Sequence, residues 1–206
     1  MKHGLFITLE GPDGSGKTTQ IEKMREYLQD QGNQVLVTRE PGGTSIGERL
    51  RELILSRESE EMDPLTEALL YAAARAQHVE QVIRPALERG KFVICDRFID
   101  SSIAYQGYGR RLGDSVSIIN AYAVKGCMPD ATFLLKLDPA MGRNRIEQKQ
   151  RDRIELEHAD FHELVFHGYE ELELQYPQRI IGIDASREIS EVTEDILQHL
   201  ERLLER

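Results

Sequence analysis

Gly11-Pro12-Asp13-Gly14-Ser15-Gly16-Lys17-Thr18 matches the pattern G-x-x-x-x-G-K-[ST]. Glycines let the backbone bend so that successive N–H groups point at one anion. A helix starting at Lys17 would add its positive N-terminal end, which favours phosphate. Lys17 can bridge β- and γ-phosphates, and Thr18 can ligate Mg²⁺. Residues 11–18 therefore point to a nucleoside triphosphate. A glycine-rich turn with a fortuitous lysine is the alternative. It is disfavoured because an apolar strand pattern precedes the loop and a helical pattern follows.

Further chemistry-bearing residues fall where other apolar runs end. Phe92-Val93-Ile94-Cys95 runs into Asp96, a carboxylate suited to Mg²⁺ directly or through water. Arg39-Glu40-Pro41-Gly42-Gly43-Thr44 follows the Val35–Thr38 run, and Arg97 follows Asp96. Arg51 and Arg75 lie on helical patterns further along. Each arginine alone reads as a surface ion pair. Their joint placement at strand ends, where open parallel sheets bind ligands, points to a second anionic substrate. No N-K-x-D guanine-reading motif follows a later strand, which argues against a GTPase. His158 and His162 share an i, i+4 face, but no glutamate follows His158 directly and no third ligand is evident, so they do not read as a zinc pair.

These residues must be positioned by alternating strands and helices. Gly4–Glu10, Val35–Thr38, Phe92–Cys95, Ala131–Leu137 and Ile180–Ile183 read as strands. Lys17–Asp30, a stretch marked by Ile46, Leu50, Leu53 and Ile54, Pro64–Arg89, Val116–Val124, Phe161–Tyr176 and Ile189–Leu204 read as helices. Pro139 opens another, and Pro85 should bend or interrupt the long one. That alternation predicts an α/β protein, a parallel sheet covered on both faces. The charged stretch Arg143–Glu157 breaks the apolar rhythm. It reads equally as a solvated helix end or as a mobile lid.

Composition bounds the partners. The chain has 206 residues, with 36 Asp+Glu against 26 Lys+Arg, a formal charge of −10. Such a balance argues against a nucleic-acid polymer as partner. One domain spanning 1–206 suits this length. The apolar run Leu5-Phe6-Ile7 is too short for a signal peptide, no run approaches a membrane span, and Cys95 and Cys127 form no disulfide or CxxC pattern. The expectation is a cytoplasmic protein that makes no use of a membrane.

Five motifs in order give the chain a specific resemblance: GPDGSGKTT near the start, TREPGGT after the second strand, YAAARAQH on the long helix, DRFIDSSIAYQG after the third strand, and DRIE in the charged segment. Together they resemble the thymidylate kinase (dTMP kinase) family over nearly the whole length. The resemblance implies the P-loop nucleoside monophosphate kinase fold, a five-stranded parallel sheet flanked by helices, in a homodimer with a lid at about 143–157. It implies an enzyme moving the γ-phosphate of ATP to dTMP, with Mg²⁺, on the path to dTTP. The loop, Lys17 and Thr18 would hold ATP, with Thr18 and Asp96 on the metal. Asp13 would contact the acceptor sugar. Tyr71 would stack on thymine, and Arg75 would donate to the base edge. Tyr105, with Ser102 and Gln106, would contact base and sugar. Arg97 and Arg51 would grip the acceptor phosphate, beside Arg39 and a constrained Glu40-Pro41 turn.

Some relatives carry an arginine inside the loop, where this chain has Gly14; those with glycine resemble a bacterial class that supplies the arginine from the lid. The implied lid cation is Arg151, with Arg145, Lys149 and Arg153 as competitors and Arg145 also near ATP. The implied catalytic set is Lys17, Arg97, Arg151 and Asp13. No general base is needed, because a phosphate monoester is largely dianionic at pH 7. Two competing readings stand beside this one: a kinase of the same fold acting on another base, and a regulatory module that kept the loop but lost catalysis.

Overall fold

The computed structural model describes residues 4–144 and 152–205. Strands β1 (Phe6–Glu10), β2 (Val35–Arg39), β3 (Phe92–Asp96), β4 (Ala131–Lys136) and β5 (Ile180–Asp184) form one sheet in the order β2-β3-β1-β4-β5. Every neighbouring pair is parallel. Helices α1 (Lys17–Asp30), α2 (Ser45–Leu55), α3 (Pro64–His78), α4 (Arg84–Glu88), α5 (Ile99–Ser102), α6 (Ser115–Val124), α7 (Pro139–Asn144), α8 (Ala159–Gln175) and α9 (Ile189–Leu204) connect and cover it.

The strand β1 is buried along its whole length, as a central parallel strand must be. Its side chains alternate between two cores. Ile7 and Leu9 pack with Met24 and Leu28 of α1 and with Ile196 and Leu200 of α9. Phe6 packs on the other face with Val79, Ile83, Val93 and Phe98. Thr8 on that face pairs its hydroxyl with that of Thr132 at 2.8 Å. Helix starts follow local capping chemistry: the Asp63 carboxylate accepts from the N–H groups of Leu65 and Thr66, and Pro64 fills the first turn of α3.

All five expected strands form, each within about two residues of its expected bounds. The long helix is interrupted as expected, but ahead of Pro85. After His78 the chain takes a π-turn over Val79–Ile83, and Pro85 lies in the first turn of α4. Proline offers no N–H to the carbonyl four residues back, and its ring crowds that carbonyl. That carbonyl belongs to Gln81, inside the widened turn. A second π-turn, Ile103–Gly109, continues α5; apolar periodicity does not signal it. Among the described residues no helix is long and apolar enough to cross a membrane.

Candidate active site

The chain leaves β1 at Glu10, turns through residues 11–16 and enters α1 at Lys17. Gly16 caps α1 at φ 92°, and no side chain caps the helix there. The first-turn N–H groups are thus left for an anion. Lys17 is buried and donates to the carbonyls of Gly11 at 3.1 Å and Pro12 at 2.9 Å. Burial, followed by the nearby charge of Arg97, lowers its pKa to about 8. Gly14 has φ 79°, and a Cβ there would come within 2.9 Å of the carbonyl carbon of Gly142 on α7. Loop and helix touch backbone to backbone.

Sheet register brings β3 to the same place. Leu9 stands beside Asp96, and the Arg97 N–H donates to the Leu9 carbonyl at 2.9 Å. Arg97 takes φ 65°, a conformation unfavourable for a residue with a Cβ. Its Nη2 donates to Asp13 Oδ1 at 2.6 Å, and its Nη1 donates to the hydroxyls of Ser101 and Tyr169, both at 3.1 Å. The guanidinium lies 5.2 Å from the centre of the Tyr105 ring. Burial alone would raise the Asp13 pKa; the charges of Arg97 and Lys17 outweigh it and bring it to about 2.

These groups open on one cavity of about 400 Å³, within the size range of small-ligand sites. Asp13, Gly14, Gly16, Lys17 and Thr18 line one end. Arg39, Glu40, Pro41, Arg51, Asp96 and Arg97 line it from the ends of β2 and β3 and from α2. Tyr71, Arg75, Ser102, Tyr105 and Gln106 also line it. Gly11, Pro12 and Ser15 of the loop do not line it. Burial raises the pKa of both Tyr71 and Tyr105, which keeps the phenols neutral.

Three cavity arginines have structural partners that sequence did not reveal. Arg75 is 1% exposed; it donates to Glu40 Oε2 at 2.7 Å, to the Ser102 hydroxyl and the Phe98 carbonyl, each at 2.9 Å, and to the Asn120 side-chain carbonyl. Four of its five donors are thereby engaged. Glu40 is held in turn by His78 Nδ1 at 2.9 Å. The Glu40-Pro41 peptide is cis, and the Pro41 carbonyl accepts from Arg51 at 3.0 Å. Arg39 is exposed and pairs with Glu48.

Arg153, one of the four lid candidates, does not line the cavity. It is buried, with its Nη2 2.6 Å from Glu67 Oε2 and its Nε donating to the Ile54 carbonyl at 3.0 Å. A buried carboxylate needs cations, and Glu67, fully buried, takes both Arg153 and Arg110. Arg145, Lys149 and Arg151 lie outside the described residues.

Asp96 Oδ1 is buried without a hydrogen-bond partner. An orphaned carboxylate oxygen of this kind fits a hard divalent cation, and the Thr18 side chain lines the same cavity. Among the described residues no cluster of three or more His, Cys, Asp or Glu could hold a metal by itself. Asp96 and Thr18 therefore suit an ion that also binds a ligand's phosphates, as Mg²⁺ does.

Glu10, Glu67, Ser101 and Tyr169 shape the site without having stood out in the sequence. Glu67 had a usable signal: it precedes Tyr71 and Arg75 at i, i+4, i+8 on one face of α3. Glu10 is an acid closing a five-residue, largely apolar strand and is buried with the rest of it. Tyr169, on α8, had none, because only folding brings it to Arg97.

The family model described as thymidylate kinase matches residues 9–196. A thymidylate kinase from an Exiguobacterium species is 51% identical over 203 residues, spanning 97% of this chain and 96% of that one. One from Bacillus pumilus is 48% identical over 207 residues, spanning 98% of each. The crystal structure of thymidylate kinase from Ehrlichia chaffeensis superposes with a TM-score of 0.78 at 34% identity, over 96% of this chain and 99% of that chain. With a phosphate loop, arginines lining the same cavity from the ends of β2 and β3 and a match over nearly the full length, the chain belongs to the thymidylate kinase family, whose members transfer phosphate from ATP to dTMP to give dTDP.

Proposed function

We propose that this chain moves the γ-phosphate of ATP in line onto the phosphate of dTMP. One observation carries the reading of the site. Lys17 of the phosphate loop and the Arg97–Asp13 pair stand side by side on one cavity, with Lys17 Nζ 4.0 Å from Asp13 Oδ1, and Tyr71, Arg75 and Tyr105 line that cavity too. Two anions must meet head to head for such a transfer, and each needs its own cations.

Lys17 would exchange the loop carbonyls for donor phosphate oxygens, alongside the N–H groups of the loop and of the α1 N-terminus. Arg97 and Arg51 would hold the acceptor phosphate, with Arg39 at the rim. Asp13 would accept from the sugar hydroxyl while keeping Arg97 in place. Tyr71 would cover the thymine ring, and Arg75, with one donor left, would reach the base edge. Ser102, Tyr105 and Gln106 would close the base and sugar side, and the Glu40-Pro41 turn would shape the floor. Asp96 and Thr18 would hold Mg²⁺, which when bound neutralises phosphate charge. From the lid, 143–157 of a single kinase domain, Arg151 would bring a cation to the transferring group, with Arg145 and Lys149 its competitors. Arg153 is committed to Glu67 and drops out.

A homodimer is supported by exposed apolar side chains on adjacent helices. Leu65 and Leu69 of α3 and Ile118 and Tyr122 of α6 face outward, Tyr122 at 79% exposure. Light scattering on wild type and Tyr122→Asp tests this, with a monomeric wild type overturning it.

The test of function is ADP release coupled to dTMP. dTMP should outperform dUMP, dCMP and dGMP; equal rates would overturn the thymidylate assignment, and no dTMP-dependent turnover would favour a non-catalytic module. Alanine at Arg145, Lys149 and Arg151 singly should lower kcat for at least one. Three variants within about twofold of wild type would sink the lid assignment.

A further inference from the structure

We infer that Tyr169, on α8 and behind the cavity wall, is a positioning residue that sets the direction of the Arg97 guanidinium through a chain of hydroxyls ending on Glu10. The inference rests on the proposed role of Arg97 toward the acceptor phosphate.

Tyr169 is 1% exposed and does not line the cavity. Its hydroxyl lies 3.1 Å from Arg97 Nη1, 2.8 Å from Ser101 Oγ and 3.3 Å from Glu10 Oε2. Ser101 Oγ lies 3.1 Å from Arg97 Nη1 and donates to Glu10 Oε2 at 2.5 Å. Glu10 Oε1 accepts from the Phe98 N–H at 2.7 Å.

Donor counting fixes the side of this network that faces Arg97. Arg97 Nη1 has two hydrogens and no lone pair to offer, so both hydroxyls must accept from it. Ser101 has one hydrogen, which goes to Glu10 Oε2. The Tyr169 hydrogen goes to Glu10 Oε2 at 3.3 Å or to Ser101 Oγ at 2.8 Å, and either way a lone pair of its oxygen is left to Arg97. Glu10 is the sink that orders the chain. It draws the hydroxyl protons away and turns their lone pairs toward Arg97. Both Nη1 hydrogens are consumed on this side, and one Nη2 hydrogen goes to Asp13. Nε–H and the second Nη2 hydrogen are not taken by Asp13, Ser101 or Tyr169; with the Tyr105 hydroxyl as their neighbour, they are the donors that can meet an anion.

Arg97 needs such an anchor because its own backbone sits at φ 65° and its side chain is held by groups from three elements. A phosphate arriving beside Asp13 would otherwise be free to pull the guanidinium off line. Tyr169 fixes it from the side opposite the ligand, at no cost in cavity space.

Tyr169→Phe removes one oxygen and keeps the ring. Its effect is read by dTMP affinity in a double-mutant cycle with Arg97→Met, by calorimetric titration, with ATP KM and Tm recorded alongside. We expect Tyr169→Phe to weaken dTMP binding about fivefold, the scale of one ordinary hydrogen bond, because the loss reaches the ligand only through Arg97. ATP KM should stay within twofold. In the Arg97→Met background the same change should alter dTMP affinity by less than about 1.5-fold, because there is no guanidinium left to steer. A Tyr169→Phe protein that folds and binds dTMP as wild type does, while Arg97→Met is impaired, overturns the positioning role and leaves the site reading intact. An equal loss in both backgrounds also overturns it. Unimpaired dTMP binding by Arg97→Met would instead remove the site reading on which it rests.

Discussion

Arg153 Nη2 lies 2.6 Å from Glu67 Oε2, and both side chains are buried. Glu67 also takes Arg110 Nη2 at 3.1 Å and Gln106 Nε2 at 2.9 Å. One carboxylate thus links α3, the Ile103–Gly109 turn with Arg110 just after it, and the charged segment at Arg153. Removing Arg153 leaves the buried carboxylate with Arg110 as its remaining cation, beside Gln106. Arg153→Ala should lower the unfolding free energy by about 2 kcal/mol, less than a fully orphaned buried charge would. Urea denaturation checks this, and a loss below about 1 kcal/mol would mean the pair does not hold that region together.

Gly14 and Gly142 approach each other where neither has room for a side chain. At φ 79° an alanine at position 14 is strained by about 1–2 kcal/mol before any clash. Gly14→Ala should therefore raise the KM for ATP about tenfold or more, and Gly142→Ala should act in the same direction by pushing α7 off the loop. Steady-state kinetics on both variants decides. Unchanged ATP kinetics in both would show that the contact does not govern the loop.

Lys17 has a pKa of about 8 when no anion is bound. A phosphate beside it favours the ammonium form, so binding must draw a proton once the pH exceeds that value. ATP affinity should be flat below about pH 7 and fall by up to tenfold per unit above about pH 8. Titration calorimetry at pH 7, 8 and 9, in buffers of differing ionisation enthalpy, would register the proton uptake. Affinity that is level to pH 9 contradicts it.

Burial, followed by the neighbouring Asp100 charge, raises the Glu10 pKa to about 7. In the unfolded chain it titrates near 4.5. Between those values the native state holds a proton that the unfolded state has lost, so this group lowers stability as pH rises from about 4.5 to 7. Glu10→Gln removes the dependence while keeping hydrogen-bonding atoms. The Tm of Glu10→Gln relative to wild type should climb across that window. A constant difference would show that Glu10 does not titrate there.

Much of the fold was legible in the chain, for reasons visible in particular elements. Strands such as Phe92–Asp96 are short β-branched runs ending in polar residues, and α9 repeats Val192, Ile196 and Leu200 at four-residue spacing. An interruption near Pro85 was legible, but its form, a π-turn over Val79–Ile83, was not, because residue types signal the lost hydrogen bond and not how the backbone absorbs it. Residues that a motif names, such as Lys17, Thr18 and Arg97, do come together on one cavity. Site residues were not readable where the partner is remote: Glu10 meets Tyr169 across 159 positions of chain.

The sequence alone determined which chemistry is available: a phosphate loop, a Mg²⁺-type carboxylate at Asp96, and cations at strand ends in a chain of net charge −10. These follow from residue type and short spacing, which act through local backbone geometry. Only the tertiary structure decided which cations are free to meet a ligand. Arg153, on a charged stretch, is locked onto buried Glu67, and Arg75 spends most of its donors on Glu40, Ser102, Asn120 and Phe98. Arg97 keeps donors toward the cavity because Ser101 and Tyr169 hold its other end. An arginine's role depends on which acceptors folding brings within 3 Å, and that is set by packing between distant elements.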